Sequence, residues 1–288
     1  MQYKTIRNTD CMIGIKDIQT GEAKLIIIDP PYNIAHKREF TRGKTKAVSM
    51  DFGEWDYFET KEEYLEWCEP WIEETYRSLD ENGHVFVWQD KTLPLIPLLE
   101  KHGFEIRNIV VWIKSNPVPS FQKVNFLSAI EFGVWATKKG SLRKNQTFNF
   151  LTQNQMHNVE IEKIKDMTKE ELFDYVMSLV HDDMKSENKN EIYVSENGIE
   201  AYKSSIVMGK ERTPHPTQKP LSFTKKLIQL FTNEGDLVID FFSGSGTVAE
   251  ASEETGRDYY CCEKSKEWYD VSVKRLSDKG YTINCLDK

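Results

Sequence analysis

Lys24-Leu25-Ile26-Ile27-Ile28-Asp29-Pro30-Pro31-Tyr32 is the stretch that decides the architecture. Leu25–Ile28 is an unbroken aliphatic run, mostly β-branched, which predicts a strand at Lys24–Ile28 buried on both faces, as in a parallel sheet. Pro30 and Pro31 end it, because proline brings no N–H to a ladder. The loop they open therefore sits at the carboxyl end of a parallel strand, where open α/β sheets hold ligands.

The chemistry of that loop is specific. Two prolines remove two donors and leave carbonyl oxygens free to accept. Asp29 beside such a carbonyl makes a pair of acceptors, which matches the two hydrogens of a planar –NH2 group. Holding both hydrogens favours a more pyramidal, more nucleophilic nitrogen. Tyr32 adds a flat face for an unstacked base, worth about 1–3 kcal/mol. Taken alone, the same residues also suit a rigid strand-ending turn with a packing tyrosine.

Outward from the loop, strand and helix patterns alternate. Tyr64–Leu79 has helical spacing, and Gly83 opens a strand at His84–Trp88. A helix around Leu93–His102 carries Pro94 and Pro97, and Ile106–Ile113 and Ala129–Thr137 read as strands. Toward the C-terminus come a helix at Leu221–Phe231 with Pro220 at its start, a strand at Asp236–Asp240 and a helix at Thr247–Thr255. A strand at Asp258–Cys262 and a helix near Trp268–Leu276 complete the pattern. This alternation predicts an α/β fold with a parallel sheet covered on both faces.

Residues 138–212 break the pattern. Asn145, Asn149, Asn154 and Asn158 crowd together, and a single helix starts at Thr168, with Glu171 in the capping-box position, and runs through Leu172, Val176 and Leu179. The stretch reads as a small insertion off the sheet, dividing the chain into residues 1–137, 138–212 and 213–288.

A second motif is Asp240-Phe241-Phe242-Ser243-Gly244-Ser245-Gly246-Thr247, again strand into helix. Its glycines let backbone approach a ligand, and Glu263, ending the next strand, is placed to accept from two ribose hydroxyls. Gly244-x-Gly246-x-x-Ala249 also fits the loose dinucleotide fingerprint. Against a nicotinamide cofactor stand the motif's place near the C-terminus, with no second mononucleotide unit after it, and an Asp-Pro-Pro-Tyr loop with no job in hydride transfer. A third motif, His215-Pro216-Thr217-Gln218-Lys219-Pro220, precedes the Leu221–Phe231 helix and suits the carboxylate of a bound amino acid.

Net charge is −8, so a basic contact face has to be local. Two clusters qualify as DNA contacts: Lys37, Arg38, Arg42, Lys44 and Lys46, then Lys138, Lys139, Arg143 and Lys144. Either is also compatible with a solvated loop. Five cysteines without C-x-x-C spacing argue against a zinc or disulfide framework. No apolar run nears the roughly 18 residues that span a bilayer, and the start, MQYKTIRNTDC, has no signal-like region. A cytoplasmic, metal-free protein is expected.

In this order the motifs resemble the DNA amino-methyltransferases, in particular their permuted β class, in which Asp-Pro-Pro-Tyr precedes the cofactor loop and the target-recognition region lies between. The resemblance implies a Rossmann-like, seven-stranded, mostly parallel sheet with Ile106–Ile113 and Ala129–Thr137 as an antiparallel edge hairpin. It implies S-adenosylmethionine as cofactor, with Asp240, Phe242, Ser243, Gly244, Ser245, Gly246 and Thr247 around it. Glu263 would bind the ribose, next to Lys264, and Thr217, Gln218 and Lys219 would meet the methionine end. Asp10, with Cys11, would lie by the adenine, although Thr9 replaces the usual glycine there. Asp29, Pro30, Pro31 and Tyr32 would form the catalytic loop, with Tyr32 stacked on a flipped base of double-stranded DNA.

In that family Asp at the first loop position goes with N6 of adenine and Ser with N4 of cytosine, so Asp29 implies adenine, with N4-cytosine as the alternative. Carbon-5 methylation needs a cysteine nucleophile, typically in a Pro-Cys pair, which the chain lacks. A further alternative is a non-catalytic DNA-binding subunit of the same fold. Glutamine-modifying relatives carry Asn in place of Asp29. A homodimer and a restriction endonuclease are the protein partners implied.

Overall fold

The computed structural model describes residues 3–33, 57–90, 92–115, 130–149, 192–194, 200–204 and 206–287. Ten described strands form one sheet: β1 (Thr5–Asn8), β2 (Ala23–Ile28), β3 (Leu79–Gln89), β4 (Phe104–Lys114), β5 (Ile130–Lys138), β6 (Ile192–Val194), β7 (Glu200–Ser204), β8 (Leu237–Asp240), β9 (Asp258–Glu263) and β10 (Asn284–Asp287). Their order across the sheet is β10-β1-β9-β8-β2-β3-β5-β4-β7-β6. The described helices are α1 (Cys11–Gly14), α2 (Lys61–Ser78), α3 (Ile96–Lys101), α4 (Leu221–Phe231), α5 (Thr247–Glu254) and α6 (Lys266–Ser277).

Alternation along β2 explains the two layers. Ile26 and Ile28 face one side, with Tyr64, Cys68, Trp71 and Ile72 of α2 and Leu99 of α3. Leu25 and Ile27 face the other, with Phe223, Leu227 and Ile228 of α4 and Val248 and Ala251 of α5. Each such buried aliphatic side chain contributes about 1.5–3 kcal/mol. This double burial is why β2 reads as a continuous apolar run.

The expected mostly parallel sheet and its antiparallel hairpin are present, with β4 and β5 pairing from Phe104↔Lys138 to Ile113↔Ile130. The sheet extends past the expected seven strands on both sides. β10 pairs parallel outside β1, and β7 pairs parallel with β4, Val110↔Glu200 through Lys114↔Ser204. Residues 200–204, expected off the sheet, are thus part of it. The helix expected from Thr168 lies outside the described residues. Among the described residues no helix is long and apolar enough to cross a membrane.

One topological feature positions the site. β2 leads through α2 to β3 on one side, whereas β8 leads through α5 to β9 on the other. The gap between β2 and β8 is therefore a switch point, where neighbouring loops diverge and open a crevice.

Candidate active site

β2 and β8 are parallel, with Leu25↔Val238 and Ile26↔Ile239 in register. Three residues on from the second pair, Asp29 and Phe242 leave the sheet abreast, on strands about 4.8 Å apart. The Asp-Pro-Pro-Tyr loop and the glycine turn, distant in sequence, therefore line one crevice.

Asp29 is held on both oxygens. Tyr32 donates its hydroxyl to Oδ1 at 2.6 Å, and Lys219 donates to Oδ2 at 2.5 Å. The same Lys219 ammonium lies 3.2 Å from Glu131 Oε2, and Lys114 meets Glu131 Oε1 at 2.6 Å. The Trp88 and Tyr32 rings flank Lys219 Nζ at 5.2 and 5.6 Å to their centroids. Two carboxylates and two ammoniums thus balance in a partly buried space. Burial raises the Asp29 carboxyl above its usual range, against the pull of Lys219. Burial alone lowers Lys219, but Asp29 and Glu131 outweigh it and hold the ammonium charged. Burial likewise raises Glu131, yet Lys219 and Lys114 leave it below the usual carboxylate value.

The glycine turn is packed tightly against protein. Gly244 has φ +50°, and a Cβ there lies 2.9 Å from His215 Nε2. At Gly246, φ +75°, a Cβ meets Ser272 Cβ of α6 at 2.7 Å. Gly244 N–H donates to Glu263 Oε2 at 2.8 Å and Ser265 N–H to Oε1 at 2.7 Å, which leaves each oxygen a further lone pair. Ser245 and Thr247 turn toward α6, where Arg275 donates to Ser245 O at 3.2 Å and Thr247 Oγ1 at 3.0 Å. Ser243 is buried and its N–H donates to Cys262 O at 2.9 Å. Phe242 is half-buried against Trp71 and Trp67, centroids 5.7 and 5.8 Å away.

Asp240 accepts Phe242 N–H at 2.9 Å. Burial pushes its carboxyl up to about 8; that bond opposes the shift, and Asp29 and Glu263 add to it. A carboxyl held this high is mostly protonated near neutral pH, and a cationic ligand beside it would draw it down and ionise it; an α-ammonium and a sulfonium are the positive groups of S-adenosylmethionine. At the other side of the turn, Asp10 caps α1, accepting Met12 N–H at 2.9 Å, and pairs with Lys264 at 3.1 Å. Thr9 N–H donates to Glu263 O at 3.0 Å, which ties the ends of β1 and β9 together. Cys11 is buried beside Asp10. Asp10, Asp240 and Glu263 fit a ligand with hydroxyls and positive charge. Among the described residues no group of three or more His, Cys, Asp or Glu is arranged for a metal.

The third motif divides its labour. Gln218 spends its amide on the chain, accepting from Thr213 N–H at 2.8 Å and donating to Glu211 O at 2.9 Å. Thr217 is half-buried. Lys219, expected at the cofactor's methionine end, is paired with Asp29. His215 stands edge-on to Trp268 at 4.8 Å, behind Gly244. Burial, with Lys219 and Arg212, pushes it down to about 4.

One expected DNA contact, Lys138, needs correction. Lys138 is buried, ion-paired with Glu81 at 2.9 Å and 4.7 Å above the Tyr76 ring, so no phosphate reaches it. β5 runs antiparallel to β3, which brings Glu131 to the crevice and carries Lys138 about 23 Å away, at about 3.3 Å per residue. Lys139, Arg143 and Lys144 are exposed there, at the opposite end of the sheet from Asp29. Lys37, Arg38, Arg42, Lys44 and Lys46 lie outside the described residues. Glu131 and Lys114 went unnoticed in the sequence. The signal was there: an acid inside the apolar run Ala129–Thr137 needs a buried cation.

Comparison with known proteins places this geometry. A family model described as DNA methylase, of the N6/N4 methyltransferases, matches residues 23–274. The Type II methyltransferase M.HinfI of Haemophilus influenzae is 30% identical over 284 residues, covering 95% of this chain and 68% of its own length. Type II methyltransferase M2.DpnII of Streptococcus pneumoniae is 28% identical over 279 residues, 96% of this chain and 90% of its own. Among solved structures, the M1.HpyAVI–SAM complex shares the fold at TM-score 0.59 and 23% identity, over 94% of this chain and 98% of that one. PvuII DNA methyltransferase (cytosine-N4-specific) does so at TM-score 0.63 and 15% identity, over 98% and 89%.

Proposed function

The chain belongs to the N6/N4 DNA methylase family, and on that footing we propose that it methylates N6 of a flipped adenine in double-stranded DNA. Its cofactor is S-adenosylmethionine. The observation that supports the reading most is the register of β2 and β8, which sets Asp29 of the Asp-Pro-Pro-Tyr loop abreast of Phe242. An amino-group acceptor and a cofactor turn then share one reaction centre.

Glu263 accepts the ribose hydroxyls on its spare lone pairs, Asp10 lies toward the adenine, and Asp240 faces positive charge. The bound cofactor supplies a methyl group already made electrophilic by its sulfonium. The residues of this chain do the rest. Asp29 and the Pro30 carbonyl accept the two amino hydrogens, and Tyr32 stacks on the extruded base. Alignment of nitrogen with the methyl carbon contributes the entropic part of catalysis. Asp29 balances the positive charge that grows on nitrogen. Extruding the base costs a few kcal/mol of lost stacking and pairing.

We assign target recognition to residues 138–212 and phosphate contacts to Lys37–Lys46, since the second basic cluster faces the wrong end of the sheet. The Type II description of both relatives supports a restriction–modification role with an endonuclease partner, and self-association into a homodimer is tested by sedimentation. The deciding experiment treats unmodified genomic DNA with enzyme and cofactor and sequences it for modified bases. N6-methyladenine in one sequence context is expected; N4-methylcytosine instead overturns the adenine assignment.

A further inference from the structure

The carboxylate that has to receive the target amino group is already engaged. Tyr32 holds Asp29 Oδ1 and Lys219 holds Oδ2. An ammonium adds the attraction of opposite charges to its hydrogen bond with a carboxylate, which a neutral donor lacks, so a neutral –NH2 cannot displace Lys219 into nothing. It needs Lys219 to have somewhere else to go.

Such a place exists 3.2 Å from the ammonium. Glu131 Oε2 is buried, and Lys219 approaches it at 3.2 Å without a well-directed hydrogen bond. Its other oxygen is fixed by Lys114 at 2.6 Å, so Glu131 is anchored with one acceptor open. The Trp88 and Tyr32 rings bracket Lys219 Nζ and keep the ammonium in aromatic contact through a small displacement. A buried acceptor with a poorly directed bond gains from a better one, and it gets one once Lys219 moves over.

We infer that Glu131 is a positioning residue for methyl transfer, the second seat of Lys219: as the target amino group arrives, the ammonium passes its hydrogen bond from Asp29 Oδ2 to Glu131 Oε2. Lys219 stays protonated, no covalent bond changes, and the charge of the cluster is conserved. Lys114 holds the seat in place. The inference rests on the reading of Asp29 as the amino-group acceptor.

The test is a double-mutant cycle on the full chain, with methyl-labelled S-adenosylmethionine and unmodified genomic DNA, at alkaline pH so that Asp29 is ionised with or without Lys219. Glu131→Gln keeps the shape and removes the charge that draws Lys219 away. It is expected to lower kcat about 10–100-fold while KM for the cofactor changes less than about 3-fold. In a Lys219→Met background Asp29 keeps Tyr32 on Oδ1 but has no ammonium on Oδ2, and the same substitution should change kcat less than about 3-fold. Glu131→Asp, which keeps the charge but draws it back, should retain an intermediate rate, and it carries the same cycle should the glutamine variant not fold.

A Glu131→Gln enzyme within about 2-fold of wild type, or effects that simply multiply in the double variant, would overturn the inference. Asp29→Ala, run alongside, separates the two ideas. If that variant still methylates, the reading of Asp29 fails. If it is dead while the Glu131 cycle shows no coupling, only the second seat fails.

Discussion

Lys219 and Asp29 lie 190 residues apart in the chain and meet at 2.5 Å across the switch point. The pair closes the crevice from both sides, one partner following β2 and the other preceding α4. Glu131 of β5 stands within reach of the same ammonium. Removing Lys219 alone therefore leaves two neighbouring half-buried carboxylates without their shared cation.

Lys219→Met should cost stability on the order of 1–3 kcal/mol, less than the roughly 3–5 kcal/mol of a fully buried pair, because the Asp29 and Glu131 side chains stay 24% and 19% exposed. It should also move catalysis. Lys219 draws the Asp29 carboxyl down against burial, so its loss raises that group further. If ionised Asp29 is the active form, the acid limb of the pH–rate profile shifts to higher pH. An unmoved limb would show that Asp29 does not titrate in the rate-limiting step.

Gly244→Ala combines two penalties. A left-handed φ of +50° costs a non-glycine residue about 1–2 kcal/mol, and the new Cβ lies 2.9 Å from His215 Nε2. Cofactor affinity and thermal stability should both fall. In a His215→Ala background the ring is gone and only the backbone strain persists, so the same substitution should cost less. Equal penalties in both backgrounds, measured by melting and cofactor titration, would mean the ring is not what excludes a side chain.

His84 gives a pH signature. Its Nε2 faces Thr147 O at 2.8 Å and its Nδ1 accepts the Trp135 indole N–H at 3.1 Å, which suits the neutral ring alone. Burial lowers it from the ordinary 6.5 to about 4. A histidine depressed in this way stabilises the fold above pH 6.5, and that contribution is lost as pH falls toward about 4, up to about 3 kcal/mol. Denaturant titrations should show this loss for the wild type and a shallower one for His84→Gln, blunted rather than abolished because His215 behaves alike. Parallel curves would refute it.

DNA binding separates the two basic clusters. Replacing Lys37, Arg38, Arg42, Lys44 and Lys46 with alanine should weaken binding and flatten its salt dependence by about 0.9 in log–log slope for each phosphate no longer neutralised. Replacing Lys139, Arg143 and Lys144 should change neither, given their place at the far end of the sheet. The reverse outcome would mean that DNA approaches from that end.

Sequence and structure agree best where burial is two-sided. The β2 run and α4 at Leu221–Phe231 were legible because double burial and helical spacing leave unambiguous patterns. β1 (TIRN) and β10 (NCLD) were not, since four-residue strands at a sheet margin are too short and too polar to show a period. Lys138 looked like a surface charge because a charge run carries no strand direction; only β5 running antiparallel reveals where it points. Lys219 sat in a motif pointing to the cofactor, and the fold alone brings it to Asp29. Glu131 was readable in principle, as a lone acid in an apolar strand, but its partner could not be named without the sheet order.

Catalysis turns on Asp29 as the group that takes the target's amino hydrogens. Single-turnover transfer of labelled methyl to unmodified DNA by Asp29→Ala, with cofactor binding measured in parallel, tests that role most directly. A fall of about 1,000-fold or more in rate, with cofactor affinity kept within about 3-fold, is the predicted result. Transfer persisting within about tenfold of wild type would contradict it.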